Sequence, residues 1–192
     1  PLGIYHRIFD KVEPTVVVAD FPLKWTVSGM DELLKKESGI NAVITSQRAI
    51  PAQLLEPKIK NRSRMFYQMA NIEASQFAGK NNWAVLLDPD GFLTEGTGDN
   101  IFLVKDNVIY TPEPRNILVG ISRNYIFELA EQLGYKVIEK NLDQYDAYDC
   151  DEFFMTATPF CILPVFKFNN IQISDSIGPI TKALHDKWSE NV

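Results

Sequence analysis

Residues 83–111 read WAVLLDPDGFLTEGTGDNIFLVKDNVIYT. Two apolar runs, Trp83–Leu87 and Phe92–Glu95, flank Asp88-Pro89-Asp90-Gly91. Two more, Asn100–Lys105 and Val108–Thr111, flank Asp106-Asn107. Short runs of strand-forming residues separated by Gly, Asn and Asp predict hairpins, because these residues accept the turn dihedrals that a tight reversal imposes. The stretch therefore predicts a four-stranded meander, and the fold is built outward from it.

On the C-terminal side the spacing predicts a helix from about Ser122 to Leu133. Its apolar face is Ile126, Phe127, Leu129, Ala130 and Leu133, and Gly134 stops it. Val137–Leu142 reads as a strand, and Asp143–Asp151 as a solvated connection. Glu152–Thr158 and Ile162–Phe168 are strands broken by Pro159, and Asn169-Asn170 turns the chain toward Ile171–Ser174. A last helix opens at Pro179 with Ile180, Ala183, Leu184 and Trp188 as its buried stripe and Lys182, His185 and Lys187 on the wet side. On the N-terminal side, Val16–Ala19 and Ala42–Ser46 read as strands and Met30–Lys36 as a short helix stopped by Gly39. Pro51–Pro57 is a loop. Ser63 stands where a helix N-cap belongs, Met65, Met69 and Ile72 form a stripe read as core, and Gly79 closes that helix. Antiparallel strands with a few helices between them make an α+β fold.

Composition narrows the chemistry. The 192 residues suggest one domain, or one and a piece. Hydrophobic residues are 45% and charged residues 23%, and 19 basic against 25 acidic side chains give a net charge of −6, which argues against a nucleic-acid partner. His6 and His185, Cys150 and Cys161 are the only histidines and cysteines, so a His-rich zinc site, a four-cysteine cluster and a disulfide scaffold lack ligands. Cysteine usage fits a reducing cytoplasm. The lack of a roughly 18-residue apolar run argues against a membrane span. Pro1 opens the chain with no Met, and the first stretch reads like the middle of a protein, so an upstream part is expected.

Three segments can carry chemistry. In IKNRSRM, residues 59–65, Lys60 follows an apolar residue; held in a pocket it would be a nucleophilic amine, whereas an ordinary lysine is solvated. In LTEGTGDN, residues 93–100, Glu95 is either a solvated turn residue or a carboxylate fixed by a tight backbone, with glycines admitting a ligand. In LVGISR, residues 118–123, Ser122 either caps the helix or belongs to a phosphate site at its N-terminus. A nucleophilic lysine, a buried carboxylate and a phosphate cradle are together what pyridoxal phosphate requires.

The ordered segments IKNRSRM, LTEGTGDNIFLV, ILVGISR and EFFMTATPFCILPV, spanning most of 59–165, resemble the class IV (fold-type IV) pyridoxal-phosphate enzymes. These include branched-chain and D-amino-acid aminotransferases and aminodeoxychorismate lyase. RIFDKVEPTVVVADFPLKW, residues 7–25, is similar to the family's interdomain segment. The resemblance implies a large domain with a mixed, barrel-like sheet and flanking helices. Residues 1–22 would end a small domain or linker, 23–192 would form the large domain, and the small N-terminal domain would be missing. It implies that Lys60 links to the cofactor and shuttles a proton, and that Glu95 pairs with the pyridine nitrogen. Leu118 would pack on the ring, and Ile121, Ser122 and Thr158 would bind the phosphate. The expected function is amino transfer between an amino acid, branched-chain among the candidates, and a 2-oxo acid, by a homodimer. Met65 stands where branched-chain enzymes place a tyrosine five residues after the lysine, and Pro159 removes an N–H after Thr158. Arg64 resembles the lyase pattern, so a lyase is the alternative, and a non-catalytic truncated domain the second.

Overall fold

The computed structural model describes residues 16–20 and 39–191. Nine strands form one sheet: β1 (Ile40–Arg48), β2 (Asn82–Leu87), β3 (Leu93–Gly96), β4 (Asn100–Lys105), β5 (Val108–Pro112), β6 (Lys136–Lys140), β7 (Glu152–Ala157), β8 (Cys161–Phe168) and β9 (Ile171–Gln172). The order is β3-β2-β1-β8-β7-β4-β5-β6, with β9 on β8 and a further pairing of β3 with β4. That last pairing closes β1, β2, β3, β4, β7 and β8 into a six-stranded barrel, and β5 and β6 extend it from β4. The helices among the described residues are α1 (Met65–Ala74), α2 (Ile121–Leu133), α3 (Gln144–Asp149) and α4 (Pro179–Asn191).

The meander forms as the turns predict. Asp106 and Asn107 both take positive φ, 50° and 63°, the mirror-image turn that matches strand twist. Asn169 and Asn170, at 50° and 67°, do the same between β8 and β9. Asp88 Oδ1 accepts from the N–H groups of Asp90 and Phe92, tying the β2–β3 turn. The sheet is nevertheless mixed. β1 runs parallel to both β2 and β8, and β5 runs parallel to β6. Those pairings bridge long stretches of chain, which the local turn signals do not encode.

Strand alternation sorts the apolar residues into separate cores. Ile101, Leu103, Phe153, Met155, Leu163, Val165 and Phe168 pack in one cluster with residues of β1, β2 and β3. Their neighbours Phe102, Val104, Phe154 and Ile162 face the other way, against Ile126 and Leu129 of α2 and Ile180 and Leu184 of α4. Phe102 and Phe154, opposite each other in the β4–β7 register, stack with centroids 5.0 Å apart. Removing a fully buried ring of this kind costs about 3–5 kcal/mol.

Several sequence readings need correction. Residues 16–20 carry no strand, and Val16, Val17 and Val18 are exposed. The helix expected over Met30–Lys36 lies outside the described residues. The stripe Met65, Met69 and Ile72 is not core; its members are 74%, 53% and 50% exposed. The packed face of α1 is Tyr67, Ala70 and Ala74, against Val43, Ala84 and Leu86. Small residues let the helix approach the barrel closely, so its larger apolar side chains sit outside. Ser63 does not cap α1; Arg64 is the N-cap residue, and the Ser63 N–H bonds to Asn61 Oδ1. The helix ends at Ala74, before Gly79, as the Gln76 and Phe77 N–H groups turn to carbonyls three residues back. The stretch 143–151 is not a plain connection: it holds α3, opened by a reciprocal capping box between Asp143 and Asp146. Cys150 is buried, its thiol pushed up to about 12 mainly by burial, whereas Cys161 is half-buried. Gly134 ends α2 in the left-handed conformation at φ 77°, as expected.

Candidate active site

One end of the barrel carries the site. In register, Glu95 of β3 pairs with Asn100 of β4, and Asn100 pairs with Thr156 of β7. The polar row is thus laid down by strand pairing. Above it lies a cavity of about 710 Å³, and its wall includes Lys60, Glu95, Leu118, Ile121, Ser122 and Thr158. These six come from four separate stretches of chain.

Glu95 is buried and heavily bonded. Its Oε1 accepts from the Tyr67 hydroxyl at 2.9 Å. Its Oε2 accepts from Asn100 Nδ2 at 3.2 Å and from the Leu118 N–H at 3.0 Å. A carboxylate offers about four acceptor positions, so about one is left for a ligand. Burial raises Glu95 to about 7, against the pull of Tyr67, the Leu118 N–H, Arg64 and Lys60. Asp99, also buried, is raised to about 8 by burial and by Glu95. Asp99 Oδ1 and Thr156 Oγ1 both line this region and have no hydrogen-bond partner among the described residues.

Gly96 of LTEGTGDN, and Gly120 further on, give room to neighbouring side chains. A Cβ on Gly96 would fall 2.1 Å from Asp99 Oδ1, and one on Gly120 would fall 2.3 Å from Asn100 Oδ1. Both make room for side chains of the site itself. Of the two glycines in that segment, Gly98 alone faces open space.

Lys60 sits in the loop before α1 and is exposed on the cavity wall, rather than desolvated in a tight pocket. Leu118 is half-buried and Thr158 is exposed in the β7–β8 turn. Ser122 is buried but does not cap α2. The N-cap residue is Gly120, which has no side chain to offer, and no side chain among the described residues caps this helix. Gly120, Ile121 and Ser122 line the cavity, so an uncapped helix start borders it, a feature that suits an anion. In the turn after Thr158, Pro159 has no N–H and the Phe160 N–H donates to the Ala157 carbonyl at 3.3 Å.

Sequence reading missed Tyr67, Asn100 and Asp99. The signal for Tyr67 was available: with Ala70 and Ala74 it recurs at i, i+3 and i+7, a helix face. A second cavity, of about 240 Å³, lies between the β7–β8 turn and α4, and Pro159 borders both. His185 lines it, so it does not belong to a purely wet face of α4. Among the described residues no group of acidic, His or Cys side chains could hold a metal ion, and no helix is long and apolar enough to cross a membrane.

Comparison with known proteins gives a consistent result. An Escherichia coli branched-chain-amino-acid aminotransferase is 34% identical over 176 residues, covering 90% of this chain and 55% of that protein. A Pseudomonas aeruginosa enzyme of the same name is 39% identical over 116 residues, 60% of this chain and 38% of its own. Among solved structures, the branched-chain amino acid aminotransferase of Thermobaculum terrenum in its PLP form superposes with a TM-score of 0.76 at 31% identity, covering 82% of this chain and 52% of that one. The Escherichia coli branched-chain amino acid aminotransferase gives 0.70 at 32% identity, covering 77% and 50%. The chain spans about half the length of the curated relatives it matches. The closed barrel is thus the fold of branched-chain aminotransferases. The family model for class IV amino-transferases matches residues 6–168, and the chain belongs to that family.

Proposed function

We propose that this chain is the cofactor-binding part of a pyridoxal-phosphate-dependent aminotransferase that moves an amino group between an amino acid and a 2-oxo acid. The observation that carries the reading is the convergence, on one cavity, of an amine, a carboxylate with about one free acceptor position, and a helix N-terminus that no side chain caps. The volume suits a small-molecule site. The orphaned Thr156 Oγ1 adds a polar atom without a protein partner. The donor set therefore fits pyridoxal phosphate, which when bound supplies an electron sink for carbon-acid chemistry. Lys60 would hold it covalently, its amine then serving to move a proton. Glu95 would accept from the ring nitrogen, and Leu118 would cover the ring. The N–H groups of Ile121 and Ser122, the Ser122 hydroxyl and Thr158 would hold the phosphate.

The names of the relatives support branched-chain substrates. The β7–β8 turn lacks free N–H groups at 159 and 160, so the substrate carboxylate has to find its donors elsewhere. Residues 1–22 as the end of a small domain or linker and 23–192 as the large domain belong to the same proposal, as does a cytoplasmic location. A homodimer belongs to the same proposal; sedimentation at micromolar concentration tests it, and a monomer counts against it.

Titrating pyridoxal 5'-phosphate into the protein should give a visible absorbance band that Lys60→Ala abolishes. A missing band, or one that survives the substitution, overturns the reading. A lyase of the same family is the second reading. It is favoured by Arg64 on the cavity wall and by Met65, which faces away from it. Amino transfer to 2-oxoglutarate counts against lyase-only chemistry.

A further inference from the structure

We propose that Tyr67 is a positioning residue that favours the ionised form of Glu95 and turns it toward a pyridinium nitrogen, an inference that rests on the cofactor reading above. The argument starts from one face of α1. Arg64, Tyr67 and Asn71 stand at i, i+3 and i+7, and all three reach β3 or the turn between β3 and β4. Arg64 Nη2 donates to the Thr97 carbonyl at 2.8 Å, the Tyr67 hydroxyl donates to Glu95 Oε1 at 2.9 Å, and Asn71 Oδ1 accepts from the Thr97 hydroxyl at 2.9 Å. The Arg64 guanidinium also lies over the Tyr67 ring, 4.7 Å from its centroid. The helix begins five residues after Lys60, so one rigid element joins the lysine's loop to the carboxylate.

The three donors to Glu95 come from three places: Tyr67 from α1, Asn100 from β4 and the Leu118 N–H from the segment before α2. Together they fix the carboxylate plane. Of the three, Tyr67 alone is bound to Oε1. Removing its hydroxyl frees that oxygen to turn and takes away a hydrogen bond that favours the charged form. The charged groups acting on Glu95 are Arg64 and Lys60, which favour its ionisation; the neighbouring acid, Asp99, ionises at higher pH and is itself held back by the Glu95 charge. Tyr67 itself stays a donor across the working range, because burial and the Glu95 charge push its ionisation well above the usual tyrosine range.

The test is a carboxyl ¹³C NMR titration of the cofactor-free protein labelled at glutamate, with Glu95→Gln identifying the resonance. Tyr67→Phe keeps the ring under Arg64 and should raise the Glu95 midpoint by about one pH unit, the size of a hydrogen bond to a charged group. In the same variant the dissociation constant for pyridoxal 5'-phosphate should rise several-fold near pH 7 and converge on the wild-type value near pH 9, where the carboxylate is ionised in both. An unchanged midpoint, or an affinity loss independent of pH, overturns the proposal. If Tyr67→Phe does not fold, Tyr67→3-fluorotyrosine, whose hydroxyl is a stronger donor, must lower the Glu95 midpoint, and an unchanged value then overturns the proposal. A wild-type protein that fails to bind pyridoxal 5'-phosphate sinks the cofactor reading and leaves the titration result standing.

Discussion

Two helices in this domain begin beside the barrel, and their N-termini are treated in opposite ways. At α4, Pro179 has no N–H to satisfy, and the next two N–H groups are taken by one buried carboxylate. Ile180 donates to Glu152 Oε1 at 3.0 Å and Thr181 to Glu152 Oε2 at 2.7 Å. Gly178 has no Cβ to collide with that carboxylate; one would fall 2.1 Å from it. α2 instead opens with Ile121, 86% exposed, and Ser122, and no side chain among the described residues caps it. The physical demand is the same, since every helix start presents unpaired donors and partial positive charge. One is filled by an internal anion and holds the fold together. The other borders a cavity and has no side chain of its own to fill it, which is why the cofactor's phosphate is proposed to bind there.

The comparison can be broken by exchanging the two conditions. Glu152→Ala should cost the most, about 4 kcal/mol in urea unfolding, because it strands two buried N–H groups and leaves a hole. Glu152→Gln should lose clearly less. Ser122→Asp supplies α2 with its own anion. Pyridoxal 5'-phosphate affinity should then fall about 100-fold, about 3 kcal/mol, in an absorbance titration, while thermal stability holds or rises slightly. Undiminished affinity in that variant would make the two N-termini equivalent after all.

The site carboxylates sharpen the contrast, since Glu152 has donors on both oxygens whereas Asp99 has an orphaned one. Glu95 at about 7 and Asp99 at about 8 hold protons in the folded state that the unfolded chain has released. The folded state binds more protons between the ordinary carboxylate range and pH 8, so stability of the cofactor-free protein falls as pH rises through that window. Urea unfolding should therefore show lower stability at pH 8 than at pH 5, and Asp99→Asn should flatten the curve. A flat wild-type profile refutes the buried-acid assignment. The smallest effect is stabilisation by inorganic phosphate, about 1 kcal/mol at ten times its dissociation constant. It should survive Glu152→Gln and vanish in Ser122→Asp.

Much of this was legible in the sequence because it is local. The Asp106-Asn107 and Asn169-Asn170 turns, the Gly134 stop and the Pro179 start each follow from the backbone preference of one or two residues. The parallel partners of β1 were not legible, because nothing within β1 identifies chain some 40 to 120 residues away, and neither was barrel closure. α1 was misread because its largest apolar residues face outward while alanines pack. The lysine, the carboxylate and the α2 start stood out as motifs. The groups that define Glu95's surroundings did not, since Tyr67, Asn100 and the Leu118 N–H meet only after three elements have converged.

Asn100 and Gly120 lie twenty residues apart, yet the amide oxygen of one occupies the space a methyl group on the other would need. The same amide's nitrogen donates to Glu95 and to the Leu118 carbonyl. The start of β4 and the segment before α2 are thereby keyed into each other, and they constrain each other's inheritance. In any lineage that keeps asparagine at 100, position 120 should tolerate nothing larger than glycine. A lineage that shortens residue 100 should be released at 120 and should need a new donor for the carboxylate at 95.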